Sequence, residues 1–116
     1  MSEPITFEDF AKLEIRMGEV VAAEVPEGSE KLIKLTVDFG EPIKTRTIMA
    51  GIKQWYKPEE LVGKKLPFIL NIPFRQMGQL GESQGMLMAV VAKVGEAERP
   101  VLLVPEQTVD KGSVIR

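Results

Sequence analysis

Cysteine and histidine are both absent from this sequence of 116 residues. Without cysteine there are no disulfide bonds and no thiolate chemistry. Without histidine the chain lacks the usual general base and the commonest metal ligand. Neither the acid spacing of a calcium loop nor the Gly-Lys-Ser/Thr of a phosphate loop occurs. We therefore expect a protein that is not an enzyme and has no metal or other cofactor.

Long apolar runs are also missing, and no charged-then-apolar leader begins the chain. Apolar residues make up 44% of the sequence and charged residues 28%, which is typical of a soluble globular protein. The length fits one domain with a modest core. We therefore expect a cytoplasmic protein.

The formal net charge is −2, but the charges are unevenly distributed. Residues 43–80 contain seven basic residues and two acids, a local balance of +5, which leaves −7 for the remainder. Such asymmetry predicts a basic patch on an acidic body, although ordinary solvated surface charge is the simpler interpretation. A patch of this kind could bind a specific anionic partner while discouraging random ones.

The first half of the chain predicts a short helix and three strands. Thr6 is a capping residue, and the apolar residues after it recur at helical spacing, so this helix is expected to cover one side of the fold. The first strand, residues 14–24, changes its apolar register at Gly18, which predicts a bulge or a sharp coil there. Residues 31–39 alternate strictly as a half-buried strand does, and residues 43–50 form the third strand.

The second half predicts another short helix and two strands. Pro58 favours a helix start and Gly63 its end, and strands follow at residues 65–72 and 84–94. Three strands, a helix and two strands is the order of an OB-fold, an all-β barrel of five strands. The strand-rich remainder would expose apolar edges unless it packs on the barrel or on a second copy. We predict one domain, residues 1–116, made of an N-terminal helix (1–13), the barrel (14–94) and a C-terminal extension (95–116).

The stretch 71–87, between the last two strands, contains a proline, three glycines and several hydrogen-bonding side chains. A polar loop held between buried strands commonly presents a binding surface from a rigid base. An ordinary wide hairpin loop, in which Asn71 and Ser83 only tie down the chain, is an equally good interpretation. Ser83 has no adjacent base, so a nucleophile is a poor hypothesis.

The basic residues favour a folded RNA as partner. Arg16, Lys34 and Arg46 are predicted to share the outward face of neighbouring strands, where OB-folds hold oligonucleotides. Only 6% of residues are aromatic, whereas proteins that bind unstructured single strands stack bases on rings. Contacts to the phosphates and riboses of a folded RNA fit better. Lys31 lies at a loop–strand junction, in the opposite register from Lys34.

Six motifs follow one another along nearly the whole chain, at residues 9–18, 30–32, 37–40, 50–52, 56–64 and 81–87. Together they resemble the tRNA-binding domain appended to methionyl-tRNA synthetase, which also occurs as a stand-alone protein. The resemblance implies an OB-fold that binds the outside corner of tRNA by shape, usually as a homodimer. It also implies a role beside methionyl-tRNA synthetase, in cis or as a beta subunit.

The positions that match the family's RNA-contacting motifs are Arg16, Lys31, Asn71, Arg75, Ser83, Gln84 and Met86. Lys34 and Arg46 join them on the argument from strand faces. Residues 25–29 and 71–76 depart from the family's usual, more charged sequence and lean towards the related CsaA proteins, which are dimeric export chaperones. Residues 85–87 lean back towards the tRNA-binding branch. The rival function is therefore a chaperone that binds unfolded or secretory polypeptides in an apolar groove at a dimer interface.

Overall fold

The computed structural model describes residues 2–116 and consists mainly of short antiparallel strands. The helices are α1 (Phe7–Ala11) and α2 (Pro58–Leu61), and a 3₁₀ turn spans Gly78–Leu80. The strands are β1 (Ile15–Glu24), β2 (Ile33–Asp38), β3 (Thr45–Ala50), β4 (Lys65–Ile69), β5 (Arg75–Gln76), β6 (Glu82–Ser83), β7 (Met86–Leu87), β8 (Ala89–Val94) and β9 (Ala97–Leu102). Within residues 2–116 no helix is long and apolar enough to cross a membrane.

Five antiparallel strands, in the order β3-β2-β1-β4-β7, curl into a nearly closed barrel. The long strand β1 pairs with β4 along its first half and with β2 along its second half. On the far side, the amide of Gln84 donates to the carbonyl of Thr47 at 2.8 Å, which joins β3 to the segment before β7. The predicted all-β fold with a five-stranded barrel and two short helices is confirmed.

Alternate residues of the strands fill the barrel. Ile33, Leu35 and Val37 of β2 are fully buried, as their strict alternation predicts. The rings of Phe39 and Phe68 meet edge to face, with centroids 5.6 Å apart. Such aromatic pairs stabilise a core by about 0.5–1.5 kcal/mol beyond the burial of their area.

Gly18 is required for packing and not for a bulge. The register of β1 shifts between Val20 and Ala22, so the bulge predicted at Gly18 is wrong. A Cβ atom at Gly18 would lie 2.4 Å from Val37 Cγ1, inside the barrel. The apparent change of apolar register arises because both faces of the first half of β1 are covered. Gly18 faces the barrel interior, whereas Met17 contacts the C-terminal residues of the chain.

Helix α1 begins where the sequence predicts, because the Thr6 hydroxyl accepts a hydrogen bond from the amide of Asp9 at 3.1 Å. It does not cover the barrel as predicted. Phe7 is 80% exposed, Phe10 is 36% exposed, and no residue of α1 is buried. The helix has only five residues, which is too short to reach across the sheet.

The strand predicted at residues 84–94 is divided at Met88. β7 pairs with β4 and completes the barrel, whereas β8 pairs with β9 alone. Gly95, with φ of 63°, turns the chain so tightly that the nearest partner for β8 is the strand that follows it. The barrel therefore ends near Leu87 rather than at residue 94. β8 and β9 are called the C-terminal hairpin below.

The tail, residues 103–116, returns to the first strand. The amide of Met17 donates to the carbonyl of Ser113 at 2.9 Å, and the amide of Ile115 donates to the carbonyl of Ile15 at 2.9 Å. Between them, Arg16 pairs with Val114 as an isolated antiparallel bridge. The tail thus satisfies the part of the β1 edge that β2 does not reach.

Candidate nucleic-acid interface

Arg46 links three parts of the chain at one end of the barrel. Its Nη1 donates to the carbonyl of Leu70 at 2.8 Å and to the carbonyl of Gln84 at 3.1 Å. Its guanidinium also lies 5.3 Å from the centroid of the Phe74 ring, within the range of a cation–π contact. Phe74 lies in the 71–87 loop but is not among the residues that the sequence pattern indicates. Arg46 therefore anchors this loop to β3.

Ser83 and Gln84 complete the junction between this loop and β3. The Ser83 hydroxyl, which is buried, accepts from the amide of Met49 at 3.0 Å and donates to the carbonyl of Gly85 at 3.3 Å. The Gln84 side-chain oxygen accepts from the amide of Thr47 at 2.9 Å. These bonds satisfy backbone groups that a fully paired strand would otherwise satisfy. Both side chains therefore have a role in closing the barrel.

Asn71 joins α1 to the end of β4. Its side-chain oxygen accepts from the amide of Glu14 at 2.8 Å, and its side-chain nitrogen donates to the carbonyl of Lys12. The amide of Leu70 donates in turn to the carbonyl of Glu14 at 2.9 Å. In this structure Asn71 ties the loop to the N-terminal segment, which is one of the two interpretations that the sequence leaves open.

Arg16 reaches the same end of the barrel from β1. Its Nε donates to the carboxylate of Glu14 at 2.8 Å, and its Nη1 donates to the carbonyl of Gly112 in the tail at 2.9 Å. The charge of Arg16 is thus partly compensated by an acid, and its position is fixed by the tail.

The predicted common outward face of Arg16, Lys34 and Arg46 is wrong for the two arginines. Directly paired residues of neighbouring strands point to the same face of a sheet. Arg16 pairs with Phe68 and Arg46 pairs with Val37, both of which are core residues. The arginines therefore have the inward register, and they reach solvent because they lie at the end of the barrel. Lys34 has the outward register.

The strands β5 and β6 carry Arg75 above a small pocket of about 70 Å³. Three methionines, Ser83 and Arg75 are among the residues that line it, and the methionines are Met49, Met77 and Met86. Arg75 and Met86 are both exposed. Within residues 2–116, Arg75 forms no ion pair. The structure thus brings Arg75, Ser83 and Met86 together, and Arg75 keeps its charge available to a ligand.

Lys31 and Lys34 lie farther along β2. Lys34 Nζ is 3.9 Å from the carboxylate of Glu24, a loose pair at the surface. Lys31 is exposed and precedes β2, whereas Arg46 pairs with Val37 near the other end of that strand. At about 3.3 Å per residue, Lys31 and Arg46 are separated by roughly 20 Å. The basic residues are therefore spread along the barrel and do not form one compact cluster.

An ion pair fastens the tail to β2. Lys111 Nζ lies 2.7 Å from the Asp38 carboxylate, and both side chains are partly exposed. The hydrogen bond from Lys111 lowers the pKa of Asp38, assisted by the amide of Gly40. The same hydrogen bond to Asp38 raises the pKa of Lys111. Each charge is therefore compensated by the other. Among residues 2–116, no group of His, Cys, Asp or Glu side chains is arranged to hold a metal ion.

The family described as "Putative tRNA binding domain" matches residues 15–114 of this chain. The methionine–tRNA ligase of Methanococcoides burtonii is 45% identical over 112 residues, which cover 96% of this chain and 16% of the ligase. The chain spans between 13% and 16% of the length of the first curated relatives that it matches.

Two solved structures share the complete fold. The MetRS-related protein from Pyrococcus horikoshii superposes with a TM-score of 0.87 and is 35% identical, covering 99% of this chain and 100% of that one. The chaperone CsaA from Bacillus anthracis superposes with a TM-score of 0.82 and is 31% identical, covering 98% and 100%. The backbone alone therefore does not distinguish the two.

Proposed function

We propose that this chain, which belongs to the tRNA-binding domain family, is a non-catalytic module that binds folded tRNA through phosphate contacts and shape complementarity. The family match over residues 15–114 is the observation that carries this proposal. The 45% identity to a methionine–tRNA ligase over 96% of the chain supports it.

In this mechanism, hydrogen bonds within the chain hold the binding surface rigid, and exposed cations contact the RNA. Asn71, Ser83 and Gln84 hold the loop and close the barrel, and through it they fix the position of Arg75. Since these bonds form within the chain, no ordering of the loop has to accompany RNA binding. Arg75 then neutralises a phosphate, and Met86 offers an apolar contact to a ribose or base beside it.

The arginines at the end of the barrel contribute in a second way. A guanidinium has five N–H donors, and the contacts of Arg46 within the chain use only Nη1. The other donors of Arg46 remain for a phosphate at the barrel end. So do the donors of Arg16 that bind neither Glu14 nor Gly112. Lys31, at the start of β2, and Lys34, on the outward face of that strand, offer further phosphate contacts at other positions of a folded RNA.

We propose further that the module assists methionyl-tRNA synthetase in the cytoplasm, either as part of that enzyme or as a separate beta subunit. The match to 16% of a methionine–tRNA ligase supports this role. Addition of the chain to the synthetase catalytic chain should lower the KM for tRNA and leave kcat nearly unchanged, because only binding is assisted. An unchanged KM would contradict the role.

We also propose that two copies associate through the C-terminal hairpin. Val91 is 66% exposed, and Val90 is 46% exposed in the opposite register, so apolar side chains project from both faces of a two-stranded unit. Exposed apolar surface of this kind is typical of an interface. Dimerisation would also place two RNA-binding surfaces in one particle, which raises the avidity for a large ligand.

A CsaA-like chaperone is the second candidate function. The similarity to the chaperone from Bacillus anthracis favours it, as does an apolar pocket of about 360 Å³ between the barrel and the tail. Met17, Pro67 and Leu103 are among the residues that line this pocket. A chaperone would bind unfolded apolar peptides there with little dependence on salt.

A titration with tRNA at several salt concentrations separates the two functions. For RNA binding, the logarithm of the affinity should fall with the logarithm of salt concentration, with a slope of roughly −1 for each phosphate neutralised. A flat response together with tight binding of unfolded peptides would favour the chaperone.

The variant Arg75→Ala tests the residue on which the proposal most depends. We expect tRNA binding to weaken and the salt slope to become shallower by about 1, because one phosphate contact is lost. The melting temperature should not change, because Arg75 forms no ion pair within residues 2–116. Lys64→Ala, which removes an exposed cation that forms no ion pair within residues 2–116, is the matched control and should bind like the parent chain. A large loss of stability in Arg75→Ala would show that Arg75 is structural.

A further inference from the structure

Trp55, Tyr56 and Arg99 form a stack where the C-terminal hairpin meets the barrel. Arg99 Cζ lies 5.8 Å from the centroid of the Trp55 ring and 5.7 Å from the centroid of the Tyr56 ring. Both distances are within the range of a cation–π contact. The Tyr56 hydroxyl also donates to the carbonyl of Pro100 at 2.9 Å, which holds β9 beside the rings.

The charge of Arg99 has no acidic partner. Within residues 2–116, Arg99 forms no ion pair. The carboxylate of the adjacent Glu98 lies 3.8 Å from Lys93 Nζ. Its buried Nε has no hydrogen-bond partner among these residues. Buried donors in folded proteins are nearly always satisfied, so an orphaned guanidinium N–H calls for an explanation. The stack therefore holds an uncompensated positive charge in a fixed place.

Two lysines flank the rings in sequence, and the backbone of one of them is hydrogen-bonded to that of a third, Lys31. Lys53 and Lys57 stand on either side of Trp55 and Tyr56. The amide of Lys53 donates to the carbonyl of Lys31 at 3.1 Å, and the Lys53 ammonium donates to the carbonyl of Ser29 at 3.1 Å, so the segment that carries the rings is joined to the start of β2. The acids nearby are Glu30, beside Lys31, and Glu60, which accepts from the amide of Lys57 at 3.1 Å.

Trp55 differs from the aromatic residues that form or pack against the barrel core. Phe39 and Phe68 are fully buried and Tyr56 packs against the core, whereas Trp55 is half-buried and lies outside the core cluster. Its ring therefore has surface left for a ligand. An aromatic ring among cations is the arrangement with which proteins hold unpaired nucleotides.

We propose that Trp55, Tyr56 and Arg99 form a second RNA-contact site, a conclusion that rests on the proposed tRNA binding. An unpaired nucleotide of the bound tRNA stacks its base on the exposed part of Trp55, and its phosphate lies beside Arg99. The site extends the interface beyond Lys31, roughly 20 Å along β2 from the level of Arg46. This adds a stacking position to an RNA that is also held by phosphate contacts.

The unmodified chain provides the first test, because Trp55 is its only tryptophan. We expect the tryptophan emission to change during titration with tRNA, along the same curve as the anisotropy of a labelled tRNA. Constant emission while the anisotropy reports binding would overturn the second site and leave the proposed function intact. Absence of any change in anisotropy would overturn both.

Substitutions provide the second test, measured by the anisotropy of labelled tRNA. Trp55→Ala should weaken binding about tenfold because a stacked base is lost, whereas Trp55→Phe keeps a ring and should remain within about twofold of the parent. Arg99→Gln should make the salt slope shallower by about 1. Lys64→Gln, which removes an exposed cation beyond α2, is the control and should change neither value.

A stack that serves only to dock the hairpin, or to meet a second copy, predicts a different result. Trp55→Ala and Arg99→Gln would then lower the melting temperature or change the sedimentation of the chain. The folded variants would bind tRNA with the parent affinity and salt slope, and that result would overturn the proposal. If the variants do not fold, the tryptophan emission of the unmodified chain during the tRNA titration still shows whether RNA contacts Trp55.

Discussion

The barrel and the C-terminal hairpin are built from similar apolar strands, but only the barrel buries its own side chains. Ile33, Leu35 and Val37 in the barrel have no exposed surface, whereas Val91 in the hairpin is 66% exposed. The difference lies in the number of strands. Five strands enclose a core, whereas a two-stranded hairpin encloses none and is only marginally stable alone.

The comparison teaches that apolar content does not define the boundary of a folding unit. β7 and β8 are separated by one residue, Met88, yet one completes the barrel and the other leaves it. The position of each strand is set by its pairing partner, which is β4 for β7 and β9 for β8. The hairpin depends on contacts outside itself, such as the bond from Tyr56 to the carbonyl of Pro100. Four predictions test how far this contrast holds.

The largest effect is expected from removing one core ring. Phe68→Ala should lower the free energy of unfolding by about 3–5 kcal/mol, because it leaves a cavity in a closed interior. Val91→Ala in the hairpin should change it by less than about 0.5 kcal/mol. Denaturant titrations at one low protein concentration measure both values. Similar losses in the two variants would mean that the hairpin is as well packed as the barrel.

The second effect concerns association. Val90→Glu and Val91→Glu place a charge on opposite faces of the hairpin, and an unpaired charge buried in an interface is strongly unfavourable. At least one of them should weaken the proposed dimer more than tenfold in sedimentation experiments. Val62→Glu is the control, because Val62 is 49% exposed but follows α2 on the barrel. If neither hairpin variant changes the sedimentation, the interface lies elsewhere.

The third effect concerns the junction that closes the barrel. Ser83→Ala removes the acceptor for the amide of Met49, and a buried donor without a partner costs about 1–3 kcal/mol. Ser113→Ala removes an exposed hydroxyl that donates to the carbonyl of Asp110, and it should change stability by less than about 0.5 kcal/mol. Thermal melts measure the melting temperatures of the two variants. Equal melting temperatures would show that Ser83 does not hold β3 in place.

The smallest effect concerns the ion pair between the tail and β2. Because the pKa of Asp38 is lowered on folding, its contribution is complete above the unfolded value near 3.8 and is lost as the pH falls through the lower folded value. Because the pKa of Lys111 is raised, its contribution is complete below 10.5 and is lost as the pH rises through the higher folded value.

Asp38→Asn should therefore reduce stability slightly at neutral pH, and its stability should depend less on pH in acid than that of the parent. Urea titrations from neutral to acidic pH measure this difference. The two curves should converge at the lowest pH, because the parent has then lost the same interaction. Parallel curves would show that the pair contributes nothing to the attachment of the tail.

The elements that could be predicted from the sequence depend on local physics. The alternation of residues 31–39 follows from a strand with one buried face, and α2 follows from Pro58 at its start and Gly63 beyond its end. The resemblance to tRNA-binding domains also drew attention to Asn71 and Ser83. It did not indicate which backbone groups their side chains bind, because those groups lie elsewhere in the sequence.

What could not be predicted depends on contacts between distant residues. The inward register of Arg16 and Arg46 follows from strand pairing, and their exposure follows from the position of the barrel end. The stack of Arg99 on Trp55 joins positions that no local pattern connects. The division at Met88 is hidden because residues 84–94 continue without a proline, and Gly85 lies too early to mark it.

The bonds between the tail and β1 have a consequence for how the chain folds during synthesis. Arg16 donates to the carbonyl of Gly112, a separation of 96 residues. A chain emerges from the ribosome starting at its N-terminus, so β1 can pair with β2 early in synthesis. The hydrogen bonds between β1 and the tail can form only after the tail has been made. The strand made first is therefore among the last to acquire all of its hydrogen bonds.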